Sequence, residues 1–89
     1  MDLKELIEEV RRDYQIPPFF EDEGLIAYAE EGMSLLEGLN PLADLNKDKT
    51  YQSLLKNYIN YAYHHKVDDF MRNYEYAILS WQAGTEVPE

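Results

Sequence analysis

Residues 50–65 read TYQSLLKNYINYAYHH, the most regular amphipathic pattern in the chain. At about 100° per residue, the apolar side chains of this segment fall on one stripe of a helix. The stripe consists of Tyr51, Leu54, Leu55, Tyr58, Ile59 and Ala62. With Tyr61 and Tyr63 on its flanks the apolar arc is roughly 200° wide, whereas a helix that rests on a core from one side needs roughly 100°. We therefore predict a central helix that is either enclosed by neighbouring helices or carries a second, intermolecular surface.

An amphipathic segment at the N-terminus predicts a first helix. Asp2 is placed to cap it, with Glu5 as the capping-box partner, and the helix has to end before Pro17-Pro18. Its apolar stripe is Leu3, Leu6, Ile7, Val10 and Tyr14.

The segment after the prolines predicts a second helix. Phe19 and Phe20 are expected to be exposed or tucked under this helix, and the acidic residues 21–23 mark its positive end. The predicted buried face is Leu25, Ile26, Ala29, Met33 and Leu36. Gly38 is the expected C-terminal cap, and Asn40-Pro41 prevents any continuation.

Asp48 is placed to cap the central helix, and the end of that helix follows from the phase of the pattern. An unbroken helix would put Asp69 in the middle of the apolar stripe, so we predict a break between His64 and Asp68. The following residues form a stripe of their own: Val67, Phe70, Tyr74, Ala77, Ile78 and Trp81.

Length and composition limit the architecture. The chain has 89 residues and no cysteine, which allows one domain without disulfides or thiolate metal sites. We predict an all-α fold, a small bundle of about four helices with a central tyrosine-rich helix. The domain is predicted to span residues 1–82, and residues 83–89, AGTEVPE, are predicted to form a flexible C-terminal tail.

The sequence carries no sign of a membrane. The N-terminal MDLKELIEEV is charged and amphipathic, unlike the apolar core of a signal peptide. No apolar run approaches the roughly 18 residues that a membrane span requires. We expect a soluble protein that is intracellular at synthesis.

The charge is strongly negative and unevenly distributed. Of the net charge of -10, residues 1–38 carry 11 acids and 3 bases, and residues 39–89 carry 7 acids and 5 bases. Direct nucleic-acid binding is not expected, because phosphate contacts need clusters of Lys and Arg. The charge is compatible with solubility, a basic protein partner, or a surface that DNA passes without adhering.

Candidate chemical sites are weak. Asp44, Asn46, Asp48 and Thr50 follow the spacing of a calcium loop, but Lys49 and Leu55 replace its essential glycine and glutamate. His64 and His65 precede Asp68 and Asp69 by four residues, a spacing that requires an unbroken helix to present a metal. No nucleophile elbow or phosphate-binding loop is present, so we predict no enzyme, no metal site and no cofactor.

The aromatic residues are the most distinctive feature. Tyrosine and tryptophan are enriched at protein interfaces because they combine contact area with a hydrogen-bonding tip. Tyr58 and Tyr74 lie on the apolar stripes and are predicted to be core residues. The predicted interface residues are Phe19, Phe20, Tyr61, Tyr63, Tyr76 and Trp81.

Nearly the whole chain resembles the small head-tail connector (adaptor) proteins of long-tailed bacteriophages, which lie beneath the portal. The similar segments are LKELIEEVRRDY (3–14), IPPFFEDEGLIAYAEEG (16–32), LLKNYINYAYHH (54–65) and FMRNYEYAILSWQ (70–82). The family has a tyrosine-rich third helix ahead of a short last one. The resemblance implies a virion structural protein that forms a homo-oligomeric ring of about a dozen subunits.

In that role, one face of the ring would bind the portal protein and the other the stopper or tail-completion protein, and DNA would pass through without specific binding. The chain would be present in the host cytoplasm during assembly and at the head-tail joint in the virion. The encoding genome would be a phage or a prophage.

A second class of protein is also compatible with the sequence. Small acidic helical proteins include inhibitors that mimic DNA, in which rows of carboxylates replace phosphates. Another small protein-binding module is the remaining alternative.

Overall fold

The computed structural model describes residues 1–84, which form a bundle of four α-helices without a strand. The helices are α1 (Leu3–Asp13), α2 (Asp22–Leu39), α3 (Lys49–Tyr63) and α4 (Val67–Gly84). The predicted all-α bundle is confirmed. α4 has 18 residues, as many as α2, and in this respect the chain departs from the short last helix of the connector family that it resembles. Ala83 and Gly84 were assigned to the predicted tail but continue α4, and residues 85–89 of that tail lie outside the described residues.

α3 lies at the centre of the bundle and packs against each of the three other helices. All six residues of its predicted stripe are buried. The wide apolar arc is therefore explained by enclosure within the chain, the first of the two alternatives predicted for this helix. Tyr58 packs its ring edge-on against Phe70 of α4, with 5.2 Å between the ring centroids.

Gly32 allows α2 to approach α3 closely. A Cβ atom at this position would lie 2.7 Å from Cδ1 of Tyr58 and 2.8 Å from Cδ1 of Leu55. Such distances are well inside van der Waals contact, so only glycine fits without displacing a core side chain. The sequence pattern did not include Gly32 in the buried face, because glycine has no side chain to mark it as apolar.

Two helices begin at the predicted caps. The carboxylate of Asp2 accepts a hydrogen bond of 2.8 Å from the amide of Glu5, and that of Asp48 accepts one of 3.0 Å from the amide of Tyr51. Each bond satisfies an amide that has no partner within its helix.

α1 and α3 both end in a left-handed residue, Gln15 with φ 53° and His65 with φ 59°. The amide of the next residue donates to the carbonyl five residues earlier, at 3.0 Å after α1 and 2.8 Å after α3. This is the Schellman arrangement, in which glycine is the usual left-handed residue. The turn after α3 confirms the predicted break.

Two details of the predicted helices are wrong. α2 continues past Gly38 and ends at Leu39, with Asn40 as its C-cap, because the following Pro41 disfavours a helical conformation at Asn40. No glycine among residues 1–84 has a positive φ. Ala77 was assigned to the buried stripe of α4 but is exposed. It lies at the edge of the stripe, and α4 has its main contact with α3 alone.

Candidate protein-binding surfaces

α4 has two apolar faces. The inner face packs on α3 and buries Phe70, Ile78 and Trp81. The opposite side, about 180° around the helix, is exposed and is here named the outer α4 face. It consists of Arg72, Tyr76, Leu79 and Ala83. Tyr76 is 82% exposed and Leu79 is 56% exposed, so this face has a substantial apolar area that the rest of the chain does not cover.

Phe19 is the second exposed apolar feature, with 84% of its surface accessible. It lies in a tight turn in which the amide of Phe20 donates to the carbonyl of Pro17 at 3.0 Å. The Phe20 ring is turned inward, 6.2 Å from the ring of Tyr28 and 5.0 Å from that of Tyr63. Both predicted outcomes for the pair therefore occur, with Phe19 exposed and Phe20 tucked against the bundle.

Tyr61 and Tyr63 are half-buried by contacts within the chain. The Tyr61 ring meets those of Phe70 and Tyr74 edge-on, at 5.8 and 5.7 Å between centroids. Its hydroxyl accepts a hydrogen bond of 3.2 Å from the side-chain amide of Asn73. Much of the Tyr61 ring is therefore covered by α4, and part of the Tyr63 ring is covered by Phe20 of the Phe19 turn.

Trp81 is 4% exposed and belongs to the core. Its ring stacks on that of Tyr51 at 5.6 Å, and its Nε1–H donates to Oδ2 of Asp48 at 2.7 Å. Asp48 therefore caps α3 and also binds α4. Among the six predicted interface residues, Phe19 and Tyr76 have by far the most surface free for a partner.

Leu79 of the outer α4 face was not among the predicted interface residues. The available signal was a second stripe, with Tyr76, Leu79 and Ala83 spaced three and four residues apart on the side opposite Trp81. Leu79 was missed because only aromatic residues were considered as interface residues in the sequence.

Three partly buried tyrosine hydroxyls serve as structural hydrogen-bond donors. Oδ1 of Asn57 accepts from Tyr14 at 3.2 Å and from Tyr74 at 3.0 Å, which ties α1 and α4 to α3. Tyr51 donates to Oε2 of Glu37 at 2.5 Å. Burial raises the pKa of all three tyrosines, and for Tyr51 the neighbouring Glu37 carboxylate raises it further. These tyrosines therefore remain protonated at neutral pH.

Lys56 connects α3 to α1 through two carboxylates. Its Nζ lies 3.1 Å from Oε1 of Glu9 and 2.7 Å from Oδ2 of Asp13. Burial alone would lower the pKa of Lys56, but the hydrogen bonds to Asp13 and Glu9 outweigh this effect and raise it. The hydrogen bond from Lys56 in turn lowers the pKa of Asp13. Lys56, Glu9 and Asp13 thus form an ion-pair cluster that joins α3 to α1 and has a structural role.

The residues weighed as metal ligands make local hydrogen bonds instead. Oδ1 of Asp44 accepts from the amide of Asn46 at 2.9 Å, and Asp48 serves as the cap of α3. Nδ1 of His64 lies 2.9 Å from the carbonyl oxygen of Asn60. Within residues 1–84, no three His, Cys, Asp or Glu side chains are grouped so that they could hold a metal ion.

No protein-family model, curated protein or solved structure matches this chain. No helix in the described part of the chain has the length and apolar character needed to span a lipid bilayer. Among residues 1–84, Phe19, Tyr76 and Leu79 are the most exposed of the large hydrophobic residues, followed by Leu42.

Proposed function

We propose that this chain is a subunit of a head-tail connector of a long-tailed bacteriophage or prophage. In this role it forms a ring below the portal, joins the DNA-filled head to the stopper or tail-completion protein, and lets DNA pass through. It would act without catalysis or a cofactor. The resemblance of four chain segments to connectors suggests the class, and the outer α4 face is the observation that carries the proposal.

The outer α4 face supports a role in assembly. Tyr76 and Leu79 are exposed on a chain whose net charge is -10, and the acidic residues Asp68, Asp69 and Glu75 border this face around Arg72. An apolar face of this kind is typical of a protein-binding surface. If it contacts a different surface on the next copy, the contact is heterologous, and repeated contacts of this kind close into a ring when the rotation permits.

The charge of α2 supports a place beside DNA. No Lys or Arg occurs between Arg12 and Lys47, and Glu23, Glu30 and Glu37 lie exposed along α2. In the proposed ring, this acidic side of α2 lines the channel. Repulsion from the phosphates would keep DNA from adhering to the wall during packaging and ejection.

The spacing of the same carboxylates argues against the DNA-mimic alternative. Seven residues separate each pair of neighbours in the series Glu23, Glu30 and Glu37. Seven residues of helix rise about 10.5 Å, whereas one strand of DNA carries a phosphate every 3.4 Å or so. With the exposed Asp22 and Glu31 included, α2 carries five carboxylates over 18 residues, or one per about 5 Å, which is still sparser than the phosphates of one DNA strand.

The first test is to stop the reading frame in the phage or inducible prophage that encodes it and to examine the lysate by electron microscopy. We expect DNA-filled or leaking heads together with unattached finished tails. Normal infectious particles would eliminate the connector function. Steeply salt-dependent binding to a DNA-handling protein of the host would then favour the mimic.

A second test examines the outer α4 face. Tyr76→Asp and Leu79→Asp each place a charge in the proposed contact, and Ser34→Asp adds the same charge at an exposed site on α2. We expect the first two variants to fold normally but to be lost from particles, and Ser34→Asp to be incorporated. Equal incorporation of all three would remove the outer α4 face from the proposal.

A further inference from the structure

We infer that Phe19 inserts into an apolar pocket of a different protein, and that Lys or Arg side chains at the rim of that pocket contact Glu21 and Glu23. This contact rests on the proposed function and deepens it, because the partner of a connector is the protein of an adjoining ring, the portal protein or the stopper. The binding surface is the Phe19 turn, residues 17–20, together with the two glutamates.

The turn that carries Phe19 is held in place from inside the chain. Nη1 of Arg11 donates to the carbonyl of Pro17 at 2.9 Å, and Nη2 donates to the carbonyl of Phe20 at 2.6 Å. The same guanidinium forms an ion pair of 2.7 Å with Asp22, and the Arg11 side chain is only 23% exposed. One arginine therefore fixes both ends of the turn.

The neighbours of Phe19 restrict the turn further. The rings of Pro17 and Pro18 fix φ at the two preceding residues. The Phe20 ring packs inward near Tyr28, whereas 84% of the Phe19 surface is exposed. Because the turn is already ordered, binding has to restrict little more than the Phe19 side chain. A large aromatic ring on an ordered turn is well suited to fill a pocket on a partner.

The charges beside Phe19 define the chemistry of the pocket rim. Glu21 and Glu23 are exposed, and neither carboxylate forms an ion pair or a hydrogen bond within residues 1–84. Asp22 lies between them and is already paired with Arg11. No Lys or Arg occurs in residues 13–46. The two free carboxylates therefore favour a partner with basic residues around the pocket and disfavour an acidic surface.

A second copy of this chain does not offer such a rim. Seven of the eight basic residues lie within four residues of an Asp or Glu in the sequence. The eighth, Lys56, contacts both Glu9 and Asp13. Even Arg72, beside the exposed Tyr76, has three acidic residues within about one helical turn. The acceptor of Phe19 therefore belongs to a different protein.

The position of the Phe19 turn also suits a contact with an adjoining ring. The row of Glu23, Glu30 and Glu37 runs along α2, so an α2 that lines the channel with this row follows the channel. The Phe19 turn directly precedes α2 and would then lie at one mouth of the channel. The protein of the adjoining ring is within reach there, and the outer α4 face is left for contacts between copies.

Cross-linking tests the anchor with the full chain carrying the photoreactive p-benzoylphenylalanine at position 19. The labelled chain is produced in the phage-infected cell and irradiated in assembled particles, and the joined peptides are identified by mass spectrometry. We expect position 19 to be joined to the portal protein or the stopper. The same probe at the exposed Ala27 of α2 is the control and should give at least about tenfold less of this product. Joining to other copies of this chain alone, or no joining, would overturn the contact.

Substitutions separate the anchor from the rim, with the Kd measured between the purified chain and the protein joined to position 19. Phe19→Ala should weaken binding at least about tenfold, and Phe19→Leu should weaken it less. Glu21→Lys/Glu23→Lys should also weaken binding at least about tenfold and reduce its salt dependence. The control Glu5→Lys/Glu8→Lys changes the net charge equally at exposed sites of α1, and it should alter the Kd by no more than about threefold.

The fold of these variants is checked by circular dichroism. All of them should keep the spectrum of the unsubstituted chain, because each changed side chain is exposed. Equal weakening by the α1 control would show a general effect of charge and overturn the contact with a basic rim. Unchanged binding of Phe19→Ala would overturn the anchor.

The contact and the connector function can fail separately. If stopping the reading frame blocks head-tail joining but Phe19→Ala binds normally, the function stands and the contact is overturned. If stopping the frame leaves particles normal, the function fails, and irradiation of the labelled chain in the host cell decides the contact. A different protein joined to position 19, with binding lost in both Phe19→Ala and Glu21→Lys/Glu23→Lys, would support it. The absence of such a protein would overturn it.

Discussion

α3 and α4 are adjacent amphipathic helices, yet they use their apolar surface differently. α3 is enclosed by three helices, and its whole predicted stripe is buried. α4 rests mainly on α3 and leaves Tyr76 and Leu79 exposed. A wide apolar arc on α3 thus reflects the number of its neighbours. The narrower but two-sided pattern of α4 is the one that leaves surface for another molecule.

The largest expected difference between the helices is in the free energy of unfolding after loss of a leucine. Leu55→Ala in α3 should lower it by about 2–5 kcal/mol, because Leu55 is completely buried. Leu79→Ala in α4 should change it by no more than about 0.5 kcal/mol. Urea denaturation of the two purified variants measures both values. Similar losses would mean that the outer α4 face has a structural role within the monomer.

Asp48 provides the next largest effect, because it links the two helices. Asp48→Ala removes the cap of α3 and the acceptor for Trp81, and it should lower the free energy of unfolding by about 2–4 kcal/mol. Asp2→Ala removes a cap alone and should cost about 1 kcal/mol. Trp81 is the single tryptophan, so its fluorescence also reports the change at α4. Equal costs for the two variants would show that the Trp81 hydrogen bond contributes nothing.

Two of the three glycines of α2, Gly32 and Gly38, sharpen the contrast between enclosed and open surfaces. Gly32→Ala should destabilise the protein by about 1–3 kcal/mol, since the new methyl group collides with Tyr58 and Leu55. A Cβ atom at Gly38 meets nothing within 4 Å, so Gly38→Ala should stabilise the helix by about 0.5 kcal/mol. Thermal unfolding followed by circular dichroism compares the pair. A stable Gly32→Ala variant would contradict the close approach of α2 to α3.

The smallest expected effect is the pH dependence of the contribution that the Tyr51 hydroxyl makes to the free energy of unfolding. Because the pKa of Tyr51 is raised in the folded state, its contribution to stability is complete below pH 10 and declines as the pH rises above that value. Tyr51→Phe should cost about 1 kcal/mol at neutral pH. The difference in the free energy of unfolding between the unsubstituted protein and Tyr51→Phe, measured by urea denaturation, should therefore decrease between pH 10 and pH 11.5. A constant difference would indicate that Tyr51 has an ordinary pKa.

Local sequence patterns were sufficient for most of the fold. The caps Asp2 and Asp48, the six buried residues of α3 and the break after His64 depend on neighbouring residues in the sequence, and all were predicted. Features that depend on which helices meet were missed. The pattern could not show that Gly32 faces a core side chain or that Ala77 lies beyond the contact with α3.

The candidate site was harder to predict from the sequence, because its exposure also depends on which helices meet. Tyr61, Tyr63 and Tyr76 look alike as residues beside an apolar stripe, but of the three only Tyr76 lies on the side of its helix that faces away from the bundle. The exposure of Leu79 became evident only once α4 was seen to have a single main contact. Phe19 differs from Phe20 because the turn directs one ring outward and the other toward Tyr28.

The short turn between α3 and α4 also influences the order of folding. α3 and α4 are consecutive and joined by three residues, so bringing them together costs little loop-closure entropy. α1 is held to α3 by contacts such as Lys56–Glu9 and Tyr14–Asn57, which close loops of more than 40 residues. We expect the α3–α4 hairpin to form first and α1 to dock last. Pulse-labelled hydrogen exchange should therefore show protection in α3 before α1. During synthesis, α1 can pack only on α2 until α3 leaves the ribosome and completes its binding site.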